Sequence, residues 1–136
     1  TEMSANLIFI NIDWKPSRMY RTLATNMHRL AMTIASVVHN MNPKMICMCE
    51  VGEVKNPLSE EQMQQVADQC TRTWKDTATE QIHLRCMFTT GEPYMTIYID
   101  GPIRCSDHRI LRDLYYAGGL DRTAQAFVLV APSGES

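Results

Sequence analysis

The sequence predicts an α/β fold of the α+β type: a β-α-β-α order followed by antiparallel strands, with the helices packed on one face of a mixed sheet. Three observations point there. Two short apolar runs, Asn6-Leu-Ile-Phe-Ile-Asn11 and Met45-Ile-Cys-Met-Cys49, flank a long helical pattern, which suits a crossover connection. Ser59-Glu-Glu-Gln62 has the form of a capping box opening a second helix. Two later strand-like runs are separated by the turn residues Thr90-Gly-Glu-Pro93, the pattern of a hairpin.

In chain order, the continuous apolar run ending at Asn11 reads as a buried strand. Asp13 to Ser17 reads as a loop, because Pro16 disfavours helix before it and Ser17 is a suitable N-cap. From Arg18 to Met41 apolar residues recur every three or four positions (Met19, Leu23, Met27, Leu30, Ile34, Val37 or Val38, Met41), one stripe on a helix. Asn40, Asn42 and Pro43 stop it. Lys44–Cys49 is the second strand, and Glu50 to Pro57 a loop. The second helix runs from its cap at Ser59 to about Trp74. Gln81–Phe88 and Tyr94–Asp100 read as the hairpin strands. Ser106-Asp107-His108 is expected in a loop. Arg109–Tyr116 is ambiguous between helix and strand, Gly118-Gly119 is a loop, and Thr123–Ala131 reads as a strand.

The 136 residues suit one domain or part of one, with enough chain to bury a core. A net charge of −2, from 13 basic and 15 acidic residues, gives no global basic footprint for nucleic acid. A local site or a metal could still act on a phosphodiester. No stretch approaches the roughly 18 apolar residues of a membrane span, so no transmembrane segment is expected. Cysteines 47, 49, 70, 86 and 105 are odd in number and contain no Cys-x-x-Cys, so all are read as free thiols of an intracellular, reducing compartment. Ten methionines suit adaptable core filling, or else a pliable face for a partner.

Each of the first two strands delivers a polar residue, Asn11 and Glu50, at its C-terminal end. That edge is where open α/β sheets bind ligands. Glu50 follows a buried run, so it can hold a hard cation such as Mg²⁺, which commonly uses one or two carboxylates and several waters. The competing reading leaves Asn11 capping a turn and Glu50 meeting water. His28 and His39, eleven apart on one helix, stand about 16 Å apart along its axis and cannot share an ion. His83 is expected on an outward strand face. Arg104, Arg109, Arg112 and Arg122 read as either a phosphate-binding patch or a solvated face.

The strand ending in Asn11, the helix, and Asn42-Pro-Lys-Met-Ile-Cys-Met-Cys-Glu50-Val resemble the start of the endonuclease/exonuclease/phosphatase superfamily. Its members begin with a strand ending in Asn, then a helix, then a strand ending in a metal-binding Glu. By this resemblance Asn11 is the active-site Asn and Glu50 the ligand of Mg²⁺ (or Mn²⁺). Tyr94–Asp100 and Arg122–Val130 are similar to later strands of that family. The sequence departs from the pattern at Lys44, where the family often has Asp, and at Cys49, where it usually has Gln. The family's Asn-x-His, Gly-Asp-x-Asn and terminal Ser-Asp-His motifs do not follow in order. The resemblance therefore implies a single partial domain over residues 1–136, equivalent to the N-terminal half of a four-layer α/β sandwich. Asp107 and His108 spell the terminal triplet with Ser106, but in the middle of the family order, and read more simply as a chance tripeptide.

Two functions are implied. One is a Mg-dependent phosphodiester hydrolase fold, weak or inactive as this chain alone, acting on nucleic acid or another phosphodiester. The other is a non-catalytic structural or binding subunit, with a protein partner covering an exposed apolar face. A continuation of the natural chain past Ser136 is a third possibility.

Overall fold

The computed structural model describes residues 6–14, 22–101, 104–114 and 122–130. The elements run β1 (Leu7–Asn11), α1 (Leu23–Met41), β2 (Met45–Cys49), α2 (Glu60–Thr77), β3 (Leu84–Phe88), β4 (Tyr94–Ile99), β5 (Arg104–Leu114) and β6 (Arg122–Val130). This is the expected α+β order. No described helix is long and apolar enough to cross a membrane. The chain divides into two compact units, Thr1–Ile99 and Asp100–Ser136.

Local chemistry sets the helix ends. Helix α1 opens behind Thr22, whose hydroxyl accepts from the Thr25 amide at 3.1 Å. It therefore begins at Leu23 and not at Arg18; the expected cap Ser17 lies outside the described residues. Asn42 closes α1 in the left-handed region (φ 45°), donating its amide to the Val38 carbonyl. Its buried positions are Asn26, Leu30, Ile34 and Val38, four apart on one face. In α2 the capping box is complete: Ser59 accepts from the Gln62 amide, and Gln62 accepts from the Ser59 amide. Met63, Val66, Ala67, Cys70 and Trp74 form its buried stripe, and the helix continues to Thr77, past the expected end at Trp74.

The first unit carries a four-stranded sheet in the order β1-β2-β4-β3. Strands β1 and β2 are parallel, pairing Leu7 with Met45 and Asn11 with Cys49. Strand β4 is antiparallel to both β2 and β3, and Phe88 opposite Met95 begins the hairpin. Strand β3 starts at Leu84 and not at Gln81, which leaves the exposed His83 ahead of the ladder. One sheet face supplies Ile46, Met48, Met95 and Ile97 to a core shared with Ile34, Val66 and Trp74 of the helices. The opposite face presents Met45, Cys47, Thr96 and Tyr98, also buried. The edge strand β1 differs. Ile8 and Ile10 pack on the core, while Leu7 and Phe9 are 37% and 75% exposed.

The second unit is an antiparallel ribbon of β5 and β6. Ser106 pairs with Val128 and Arg109 with Ala126, so Asp107 and His108 together oppose Phe127. That is a β-bulge, with Asp107 at φ 54° taking the left-handed position that bulges demand and that Asp tolerates. Ser106, Asp107 and His108 thus lie inside a strand, correcting the expectation of a loop. The ambiguous Arg109 region is strand as far as Leu114. Gly118-Gly119 and Ala131 lie outside the described residues.

Candidate functional site

Parallel pairing carries β1 and β2 to a common C-terminal edge, and the ladder continues past both strands. The Ile12 amide donates to the Cys49 carbonyl at 3.2 Å, and the Trp14 amide to the Glu50 carbonyl at 3.1 Å. Glu50 itself sits in the left-handed region at φ 57°. The next residue, Val51, is buried and donates its amide to the Pro93 carbonyl at 3.0 Å. Gly52 follows at φ 92°, where an added Cβ would meet Leu58 Cγ at 3.1 Å. Glu50 is therefore held by backbone bonds on one side and by a tight, glycine-dependent turn on the other.

Two cavities open at this edge. One, of about 400 Å³, is lined by Glu50, Glu53 and Lys55 with Trp14, Gly52, Val54 and Pro93. The other, of about 230 Å³, has Asn11, Asp13, Trp14, Asn26, Arg29 and Thr33 among its walls. Asn11 and Glu50 thus share an edge yet line different cavities, and Trp14 lines both. The Asn11 carboxamide oxygen accepts from the Asp13 amide at 2.9 Å, a local turn that occupies it.

Two of the residues lining the smaller cavity carry an unpaired donor. Trp14 Nε1 and Asn26 Nδ2 are buried with no hydrogen-bond partner among the described residues. Leaving a buried donor unpaired costs about 1–3 kcal/mol each. One signal of this is visible in the amino-acid pattern. Asn26 falls between Leu23 and Leu30 on the apolar stripe of α1, a polar residue where a core side chain belongs. Trp14 and Arg29 carried no comparable mark.

Cysteine chemistry is subdued here. Burial pushes the Cys49 thiol up, and the neighbouring Glu50 charge pushes the same way; its sulfur lies 3.8 Å from the Ile10 carbonyl. Burial also raises Cys47, although a hydrogen bond with Thr96 opposes it.

For a cation, the relevant donors are Glu50 and Glu53, which line one cavity. Among the described residues no group of three or more His, Cys, Asp or Glu comes together as a metal cage. Two carboxylates suit Mg²⁺ that keeps most of its waters, and do not suit a dehydrated ion.

Asp107 and His108 belong to the second unit. Asp107 pairs with Arg109 at 3.2 Å, both well exposed. His108 Nε2 lies 3.4 Å from Gln125 Oε1, and the ring is tilted 37° against Phe127 at 6.3 Å. No Asp107–His108 hydrogen bond exists among the described residues. Of the four arginines, Arg104, Arg109 and Arg112 lie on β5 and Arg122 on β6. His28 and His39 both lie on α1.

Comparison with family models, with curated proteins and with solved structures finds no match to this chain.

Proposed function

We infer that the first unit is a phosphodiester-hydrolase fold of the endonuclease/exonuclease/phosphatase type, using Mg²⁺ or Mn²⁺, and weak or inactive as this chain alone. The observation that supports this reading is the parallel β1-α1-β2 unit, which ends in Asn11 on one strand and Glu50 just beyond the next. In that reading Glu50, with Glu53 beside it, holds the cation. The ion's contribution when bound is to polarise a phosphoryl oxygen. The buried backbone around Val51 and Gly52 anchors the main chain at Glu50, and Trp14 lines its cavity. Nucleic acid or another phosphodiester is the substrate class. Asp107 and His108 have separate partners in the ribbon, so no role in proton transfer is assigned to them.

Isothermal titration with Mg²⁺ and Mn²⁺ tests the metal. Binding that disappears in Glu50→Gln is expected, and binding indifferent to that change removes the reading. A phosphodiesterase assay with a generic diester is expected to give little or no turnover.

A second reading has its own observation. Phe9 is 75% exposed on the edge strand β1, with Leu7 on the same face. An apolar edge of this kind suits a non-catalytic subunit whose partner covers it. Stable association in sizing experiments, abolished by Phe9→Lys and indifferent to Glu50→Gln, would favour that role.

A further inference from the structure

We propose that the smaller cavity, walled by Trp14, Asn26 and Arg29, binds a monoanionic oxyanion group, a phosphodiester or a carboxylate. The chemistry of its walls selects that class. Trp14 Nε1 can only donate, and Asn26 Nδ2 can only donate; both are buried and neither has an acceptor among the described residues. Asn26 is 9% exposed and Trp14 4%, so water does not satisfy them from the surface. Arg29 lines the same cavity, and its guanidinium has no ion pair among the described residues. The Asn11 carboxamide oxygen, a natural acceptor nearby, is already taken by the Asp13 amide at 2.9 Å. The residues around the cavity therefore bring two N–H donors unpaired among the described residues and a cation, with Asp13 as the negative group in the wall.

Its volume of about 230 Å³ has room for an oxyanion head with part of its substituents. Asp13 also lines the cavity and is engaged in an interaction of its own. This negative residue in the wall disfavours a dianion, which is why a singly charged group fits better than a phosphate monoester. Arg suits both candidates, since its planar fork meets carboxylate and phosphate oxygens alike. The site does not depend on a metal at Glu50, which lines the neighbouring cavity.

The test uses the two tryptophans as paired reporters. Trp74 is buried at 1% exposure in α2 and does not line this cavity. Indole N–H resonances of the ¹⁵N-labelled full chain are followed during titration with dimethyl phosphate and, separately, with acetate, at constant ionic strength. The expected result is a saturable shift of the Trp14 resonance with at least one probe and no shift of Trp74. The stronger probe identifies the group. Asn26→Leu and Arg29→Gln should each weaken binding roughly tenfold or more, and Glu50→Gln should leave it unchanged. Without an oxyanion, Asn26→Leu should melt no lower than the wild type, because it removes an unpaired donor. A Trp14 resonance indifferent to both probes overturns the proposal. So does binding untouched by both cavity variants, or an Asn26→Leu protein that melts lower, which would mean Asn26 already has a structural partner.

Discussion

The two units of this chain solve the problem of burial differently. In the first, Ile34, Met45, Ile46, Met48, Val66, Met95 and Ile97 are all completely buried, and Trp74 nearly so. In the second, every described side chain is half-buried or exposed, and Leu111 and Val128 are 40% and 39% exposed. A two-stranded ribbon by itself is at best marginally stable in water. The difference teaches where precise chemistry can be held: backbone packed around Val51 keeps Glu50 in place, whereas the bulge at Asp107 and His108 rests on an exposed ion pair and a half-buried His108–Gln125 contact.

Thiol reactivity should separate the units most sharply. Burial pushes Cys70 up to about 12, and burial with the nearby Cys70 and Asp68 pushes Cys86 up to about 12, against an ordinary 9.0. Each carries about a thousandfold less thiolate than an ordinary cysteine near neutral pH. In native protein, iodoacetamide with mass mapping should label the half-buried Cys105 of the ribbon long before Cys70 or Cys86, and denaturant should erase the difference. The same shifts fix a pH trend. Below pH 9 these thiols are protonated in both states and contribute nothing to the pH dependence. Between 9 and 12 the unfolded chain gives up its protons first, so stability falls as pH rises through that window, as denaturant midpoints should show.

Truncation comes next. Trp74→Ala should cost about 3–5 kcal/mol in chemical denaturation, from lost burial and the cavity left behind. Phe127→Ala in the ribbon should cost about 1 kcal/mol or less. Comparable losses would mean that the two units fold as one cooperative core. Gly52→Ala should cost about 1–2 kcal/mol through its left-handed φ alone, with the Leu58 contact adding to it. Ser59→Ala should cost about 1 kcal/mol from loss of the α2 cap.

Much of the first unit was legible in the sequence because its signals are local. The stripe from Leu23 to Val38, the Ser59–Gln62 box, the β1 and β2 runs and the Thr90–Pro93 turn each specify an element without outside help. Boundaries failed where a competing residue was available. Thr22 caps α1 behind Arg18, and Leu84 starts β3 behind Gln81, because caps and ladder partners decide ends and periodicity does not. The bulge at Asp107 was hidden because its cause is a cross-strand register with Phe127. Of the site, the edge positions of Asn11 and Glu50 could be read from strand ends. Their separation into two cavities with Trp14 lining both could not, since it depends on how β1, α1 and the Glu50–Gly52 turn pack together.

The most direct measurement follows the two indole N–H resonances while Mn²⁺ is added in small, sub-stoichiometric amounts. A paramagnetic ion held at Glu50 broadens the Trp14 signal before that of Trp74, because Trp14 lines the same cavity as Glu50 and Trp74 lines a different one. The predicted result is selective loss of Trp14 that Glu50→Gln prevents. Equal broadening of both indoles, no broadening, or broadening that survives Glu50→Gln would contradict a metal site at this edge.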